Sequence, residues 1–209
     1  MLKVYGDHNS GNCYKVKLLL TQLGEPFEWV DVDILKKESR TPEFLAKNPN
    51  GKIPLLEIEP GVYLAESNAI LHYLSEATPL LPSDRLQHAQ VLQWLFFEQY
   101  SHEPYIATAR YIVRYLGNPP EYVERLVEKH APGYAALNIM ENRLAHRSFF
   151  AAERYTIADI ALYAYTHVAH EGGFDLSRYK NVNGWLERVR NQRDHVPMEP
   201  LLVSERAKS

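Results

Sequence analysis

Residues 52–75 read KIPLLEIEPGVYLAESNAILHYLS and contain the signals that decide the fold. An apolar run follows Pro54, Pro60-Gly61 supplies a tight turn, and a second apolar run returns toward residue 65. This pattern predicts an antiparallel β-hairpin. Because proline cannot donate a ladder hydrogen bond, Pro54 belongs at the first residue or the edge of its strand. A cis Ile53-Pro54 peptide bond would turn the backbone amide and carbonyl of Ile53 outward, where they can pair with an extended peptide.

The end of the hairpin supplies a second recognition element. Glu66 and Ser67 precede a helical run over residues 68–75. The free backbone amides of a helix N-terminus, with a carboxylate and a hydroxyl beside them, can hold an anionic group. The two elements together predict a clamp for one small peptide in extended form.

Hydrophobic patterning divides the chain into two parts with different secondary structure. Residues 1–77 mix strands and short helices in the order βαβαββα, and crossovers of this kind make the first two strands parallel. Residues 78–84 form a proline-bounded linker, and residues 85–209 show only helical patterns. An α/β domain followed by an all-helical domain is therefore predicted.

The first helix has a clear signal at its end, and the short second helix has one at its start. The first helix ends at Leu23, before Gly24, and the short helix follows Thr41-Pro42. The first helix carries one apolar stripe, which we expect to pack on the sheet: Val16, Leu19, Leu20 and Leu23.

The helical half opens with two long helices. Ser83 or Asp84 can cap the first, which continues to Leu116 with a bend at Pro104. The second starts at Pro119-Pro120 and reaches about residue 144.

Two further signals lie later in the helical half. Pro132-Gly133 predicts an interruption of the second long helix. Thr156 and Asp159 fit a capping box in which Asp replaces the usual Glu, so a well-specified helix begins there.

Composition excludes several classes of function. The chain has 23 Lys and Arg against 26 Asp and Glu, so it lacks the basic excess that binds nucleic acid or an anionic membrane. It shows no leader segment and no run of about 18 apolar residues, so we expect a cytoplasmic protein. The single cysteine, Cys13, excludes a disulfide framework and a cysteine-cluster metal site. His167 and His170 lie three residues apart without a supporting carboxylate, and no metal is expected.

Four motifs occur in one order and spacing that resembles the cytosolic glutathione S-transferase family. They are Ser10-Gly11-Asn12-Cys13, residues 48–54, residues 66–70 and residues 156–159. The resemblance covers nearly the whole chain. Within the family, the chain most resembles the serine-type bacterial and nu-like classes. It implies a thioredoxin-like glutathione-binding domain, a helical-bundle domain carrying an electrophile pocket, glutathione as co-substrate, and a homodimer.

The resemblance also implies roles for the residues of the hairpin region. The backbone of Ile53, beside Pro54, would pair with the cysteinyl part of glutathione. Glu66 and Ser67 would hold its γ-glutamyl end, and Lys52 would reach its glycyl carboxylate.

The catalytic position is implied at the exit of the first strand, where Ser10 stands in place of a thioredoxin-type nucleophilic cysteine. Its hydroxyl can donate to a bound sulfur, and the helix N-terminus favours negative charge there. Each unit of thiol pKa depression requires about 1.4 kcal/mol of preferential thiolate stabilisation. Asn12 is ranked second for this role and Tyr5 third. Cys13, one turn into the helix, is interpreted as a buried filler.

Other positions depart from the family pattern or are less specific. Ser39 or Arg40 stands where some serine classes have a histidine. The aromatic series from Trp94 to Tyr115 is interpreted as bundle core and dimer contact, and within it Tyr105 and Tyr111 are expected to line the second-substrate pocket.

The predicted function is transfer of glutathione, as its thiolate, to a small hydrophobic electrophile. Glutathione-dependent reduction of a disulfide or peroxide is the alternative within enzymes, and zeta-type isomerisation ranks third for lack of a basic pair. A non-catalytic dimerisation or adaptor module of the same fold is the alternative outside enzymes. The intact set of ligand-binding residues argues against that last reading.

Overall fold

The computed structural model describes residues 1–199 and contains a four-stranded sheet followed by helices. Strands β1 (Leu2–Gly6), β2 (Phe27–Asp31), β3 (Leu55–Glu59) and β4 (Val62–Ala65) lie in the order β2-β1-β3-β4. The β1–β2 pair is parallel, whereas β3 is antiparallel to both of its neighbours. The predicted hairpin and parallel crossover are thus confirmed, and the Ile53-Pro54 bond is cis.

Helices complete the predicted βαβαββα order and then form the second part of the chain. They are α1 (Gly11–Leu23), α2 (Pro42–Lys47), α3 (Ser67–Leu74), α4 (Arg85–Phe97), α5 (Glu103–Arg110), α6 (Val123–Leu144), α7 (Ile157–Thr166) and α8 (Lys180–Arg190). The last ten residues of the predicted helical domain, 200–209, lie outside the described part. Within residues 1–199, no helix is both long and apolar enough to cross a membrane.

Helix α1 is buried on two sides, which differs from the single stripe expected. Val16 and Leu20 pack with the sheet, as predicted. Leu18 and Leu19 instead join the large core that includes α7, and Leu23 packs against the same core. The helix is therefore the layer that joins the two domains, and it ends as predicted at Gly24, whose φ is 68°.

The first long helix of the second domain contains a change of helical type. It begins at Asp84, whose side chain accepts from the backbone amide of Gln87 at 2.9 Å. Just before Pro104, where the sequence predicts a bend, the helix has a π-helical segment at Glu98–His102, which α5 follows. A second π-helical segment covers Tyr111–Tyr115. Segments of this type are frequent at functional sites.

Helix α6 runs without a break, so the predicted interruption at Pro132-Gly133 is wrong. The helix accommodates Pro132, and Gly133 is needed for packing. A Cβ atom on Gly133 would lie 2.5 Å from the ring of Phe174. The proline-glycine pair therefore marks a close contact between elements rather than a helix end.

The capping box at the start of α7 is confirmed and is part of a larger buried arrangement. Asp159 accepts from the backbone amides of Thr156 at 2.9 Å and Phe150 at 3.2 Å, and from the Trp185 indole at 2.9 Å. Asp159 is fully buried. One carboxylate thus joins the helix start, the preceding loop and α8.

Replacing Asp159 by alanine should lower the free energy of unfolding by about 3 kcal/mol or more, since each buried donor left unsatisfied costs about 1–3 kcal/mol. Urea unfolding followed by circular dichroism measures the change. Asp175→Ala is the matched control, because Asp175 accepts only within an exposed turn. Equal midpoints for the two variants would contradict the structural role of Asp159.

Candidate active site

A cleft of about 600 Å³ lies between the two domains, within the size range of small-ligand sites. It is lined by all but two of the residues that sequence reasoning considered for the site, the exceptions being Tyr5 and Tyr105. The lining residues are Ser10, Asn12, Lys52, Ile53, Pro54, Glu66, Ser67 and Tyr111. Tyr105 is not among the lining residues; the Lys129 ammonium lies 5.6 Å from its ring centre. Tyr111 faces the cleft and stacks on Tyr115.

Ser10 is the N-cap of α1 and lies at the cleft. Its Oγ accepts from the backbone amide of Cys13 at 3.4 Å, which leaves the hydroxyl hydrogen available to another acceptor. The helix can approach the second domain because residue 11 is glycine: a Cβ atom there would lie 2.6 Å from the Tyr165 ring. Cys13 is fully buried, as predicted, and burial raises the pKa of its thiol to about 12.

Asn12 is held from both sides of the cleft. Its Nδ2 donates to Glu103 Oε1 at 3.2 Å, its Oδ1 accepts from Ser67 Oγ at 3.2 Å, and its backbone amide donates to the Tyr165 hydroxyl at 3.3 Å. Because an amide nitrogen carries two hydrogens, one N–H of Nδ2 remains for a ligand. Sequence reasoning missed Glu103 and Tyr165, both contributed by the helical domain.

Tyr5 is engaged elsewhere. Its hydroxyl donates to Glu57 at 2.7 Å and accepts from Lys47 at 3.3 Å, and burial raises its pKa. Tyr5 is also absent from the cleft lining. These contacts direct the Tyr5 hydroxyl toward Glu57 and Lys47.

The residue before α3 has an unusual backbone. Glu66 has φ 68° and ψ 113°, a conformation that costs a non-glycine residue about 1–3 kcal/mol and is concentrated at functional sites. Glu66 lines the cleft directly beside Ser67, the first residue of α3. The sequence contains no signal for this strain.

A buried ion pair lies behind the cleft and links the domains. Lys15 Nζ is 2.9 Å from Glu98 Oε2, and both side chains are completely inaccessible. Lys15 also donates to Ser67 Oγ at 3.3 Å and to Asn68 Oδ1 at 3.4 Å, while Asn68 Nδ2 donates to Glu98 at 2.9 Å. The sequence contains a signal for this ion pair. Lys15 precedes Leu18 and Leu19 by three and four residues, so it lies on the buried face of α1, where a charged side chain needs a partner.

Charged side chains on the cleft wall are mainly cationic. Lys37, Arg40, Lys52 and Arg125 line it against two acids, Glu66 and Glu103. Ser39 and Arg40, the two candidates for the position of the family histidine, both line the cleft. Arg40 donates to the backbone carbonyl of Asn50 at 2.9 Å. Burial raises the pKa of Glu103.

The two histidines considered for metal binding lie elsewhere, at a separate pocket of about 580 Å³ on the helical domain. His167 Nδ1 is 2.7 Å from the carbonyl oxygen of Tyr163. Among residues 1–199, no three His, Cys, Asp or Glu side chains are grouped so as to hold a metal ion.

The fold and the cleft together define a class of protein. A small mixed sheet with this strand order, a cis-proline strand start facing the N-termini of α1 and α3, and an attached helical domain form a thioredoxin-like domain joined to a helical bundle. Family models for the glutathione S-transferase N-terminal and C-terminal domains match residues 1–76 and 90–193. The chain belongs to the glutathione S-transferase family.

Individual relatives agree with this assignment. A glutathione S-transferase of Pseudomonas fluorescens Pf-5 is 57% identical with a TM-score of 0.93, over 95% of this chain and 99% of that one. The disulfide-bond oxidoreductase YfcG of Escherichia coli K12 is 30% identical over 87% of this chain and 86% of its own length. A Pseudomonas putida glutathione transferase, solved with one glutathione disulfide bound per subunit, is 27% identical with a TM-score of 0.81, over 92% and 88%.

Replacing Lys15 by methionine should lower the free energy of unfolding by about 3–5 kcal/mol, because it leaves the Glu98 carboxylate buried without its countercharge. The double variant Lys15→Met/Glu98→Leu should be more stable than Lys15→Met alone, since it removes both charges. Urea unfolding of the two single variants and the double variant measures the coupling. Additive losses would show that the two residues do not depend on each other.

Proposed function

We propose that this protein binds glutathione in the interdomain cleft and uses its thiolate as a nucleophile, with Ser10 stabilising the sulfur. The observation that carries the proposal is the convergence of Ser10, Ile53, Glu66 and Ser67 on one cleft. The N-termini of α1 and α3 both begin at that cleft and favour negative charge there.

Glutathione would lie in extended form along the hairpin. The backbone of Ile53 pairs with the cysteinyl unit, the start of α3 at Glu66 and Ser67 holds the γ-glutamyl end, and Lys52 meets the glycyl carboxylate. Arg40 is a second cation on the Lys52 side of the cleft. This orientation brings the thiol to the N-terminus of α1.

Two donors are available to the sulfur. The Ser10 hydroxyl accepts in its capping bond and keeps its hydrogen, and Asn12 keeps one N–H. Hydrogen bonds to a charged group contribute about 1.5–3 kcal/mol. One such hydrogen bond, together with the N-terminus of α1, is enough to lower the pKa of the thiol by about one to two units, since each unit corresponds to about 1.4 kcal/mol.

The thiolate can serve two reactions. In conjugation it attacks an electrophilic carbon and displaces a leaving group. In disulfide reduction it attacks one sulfur of a disulfide, a thiolate leaves, and a second glutathione thiolate resolves the mixed disulfide to yield glutathione disulfide and a second thiolate. The second reaction is favoured by the polar side chains of the helical-domain wall, which also contains Ala107 and Tyr165. The polar ones are Gln99, Glu103, Thr108, Tyr111 and Arg125. The relation to a named disulfide-bond oxidoreductase supports it as well.

Assays with a chlorinated nitroarene and with bis(2-hydroxyethyl) disulfide separate the two reactions. Replacing Ser10 by alanine should lower kcat at least about ten-fold in whichever reaction proceeds, with glutathione affinity nearly unchanged. Asn12→Ala should have a smaller effect, and Ser177→Ala, in an exposed turn, none.

Calorimetry in buffers of different ionisation enthalpy should show nearly one proton released per glutathione bound near pH 7, and less for Ser10→Ala. A fully active Ser10→Ala enzyme would refute the role of Ser10. Absence of glutathione binding by the wild-type protein would favour an adaptor.

We also propose that the protein is a cytoplasmic homodimer. Phe96 and Tyr100 are 71% and 83% exposed on the first long helix of the helical domain, and Val62 and Tyr73 of the other domain are each 44% exposed. A contiguous exposed apolar patch marks an association surface, and we propose that these side chains form one. Sedimentation equilibrium should give twice the chain mass, and Phe96→Glu should shift it toward the monomer. A wild-type monomer at micromolar concentration would refute the dimer.

A further inference from the structure

The cleft has more cations than glutathione needs. Three of its four basic side chains come from the thioredoxin-like domain, and Arg125 comes from the helical-domain wall, on α6. The three are Lys37, Arg40 and Lys52. Within residues 1–199, none of the four lies within 4 Å of a carboxylate oxygen. Unpaired cations in a cleft attract anionic ligands.

Glutathione has two carboxylates, and both have partners under the proposed function, on which this inference rests. The N-terminus of α3 receives the γ-glutamyl carboxylate, and the cations beside Lys52 receive the glycyl carboxylate. Arg125 belongs to the helical domain rather than to the elements that receive these two carboxylates, and within residues 1–199 no carboxylate oxygen lies within 4 Å of it. It belongs to the wall that the second substrate must contact.

The surroundings of Arg125 are suited to a charged acceptor. Other helical-domain residues that line the same cleft offer an amide and hydroxyls, from Gln99, Thr108 and Tyr111. The acid on this wall, Glu103, is engaged by Asn12. The guanidinium of Arg125 lies 5.9 Å from the ring centre of Tyr122, and its planar fork of donors matches a carboxylate.

We propose that Arg125 binds a carboxylate on the second substrate, so that the acceptor attacked by the glutathione thiolate is an anionic molecule rather than a purely hydrophobic one. Arg125 is then a specificity-determining residue of the acceptor site. It makes no contribution to binding the first glutathione.

Acceptors of different charge test the proposal once each enzymatic rate is divided by the uncatalysed rate with glutathione, because the substituents also change intrinsic reactivity. The disulfides are 3,3′-dithiodipropionate, bis(2-hydroxyethyl) disulfide and cystamine, which are anionic, neutral and cationic; the electrophiles are 4-chloro-3-nitrobenzoate and 4-chloro-3-nitrobenzamide. Wild-type kcat/KM, divided by the uncatalysed rate constant for the same acceptor, should be highest for the carboxylates. Arg125→Gln should lower kcat/KM for the carboxylates about five-fold, which is the effect of losing a partly exposed ion pair. The same variant should leave kcat/KM for the neutral acceptors unchanged.

Lys129→Gln is the matched control, because Lys129 is a neighbouring cation on α6 that packs over Tyr105 and does not line the cleft. This variant should keep the wild-type order of acceptors. If Lys129→Gln and Arg125→Gln lower the rates equally, general electrostatic attraction accounts for the preference, and the proposal is wrong.

A binding measurement separates this proposal from the catalytic one. S-(4-carboxybenzyl)glutathione should bind more tightly than S-(4-carbamoylbenzyl)glutathione, and Arg125→Gln should abolish the difference, whether or not the enzyme turns over. Equal affinities in the wild-type protein, or weaker binding of glutathione itself by Arg125→Gln, would overturn the role of Arg125. Loss of proton release on glutathione binding would instead overturn the thiolate mechanism.

Discussion

The ion pair between Lys15 and Glu98 is the constraint on which the rest of the site depends. Two charges without access to water are tolerated only where geometry and additional hydrogen bonds compensate their desolvation. Here those bonds come from Ser67 and Asn68, at the start of α3. The pair therefore connects α1 and α3 of the sheet domain to the first long helix of the other domain. The cleft lies between the two domains, next to this junction.

The same junction couples the two ends of the ligand site. Ser67 donates to Asn12 and accepts from Lys15, and Asn12 in turn donates to Glu103. The hydroxyl assigned to the γ-glutamyl end is thus one hydrogen bond from the amide assigned to the sulfur. A side chain from each domain holds that amide, so its orientation is set before any ligand arrives, and little reorganisation is needed on binding.

Sequence reasoning recovered the features that local chemistry determines. The hairpin turn, the glycine end of α1, the Asp84 cap and the capping box at Thr156 all depend on residues a few positions apart, and all are confirmed. Features set by contacts between distant segments were missed: the two-sided burial of α1, Glu103 and the unpaired Arg125. The prediction at Pro132-Gly133 was wrong because a proline-glycine pair resembles the sequence of a helix end. The glycine is instead required by the close contact with Phe174.

The π-helical segment at Glu98–His102 makes the cleft wall sensitive to chain length as well as to side-chain identity. A π turn accommodates one more residue than an α turn, and successive α-helical residues are rotated by roughly 100° about the axis. Deleting one residue there would restore a regular helix but turn Glu103, Thr108 and Tyr111 away from their present directions relative to Glu98. We therefore expect homologous chains that keep Glu98 and Glu103 to keep the number of residues along this helix as well, because an insertion or deletion would replace one acceptor surface by another.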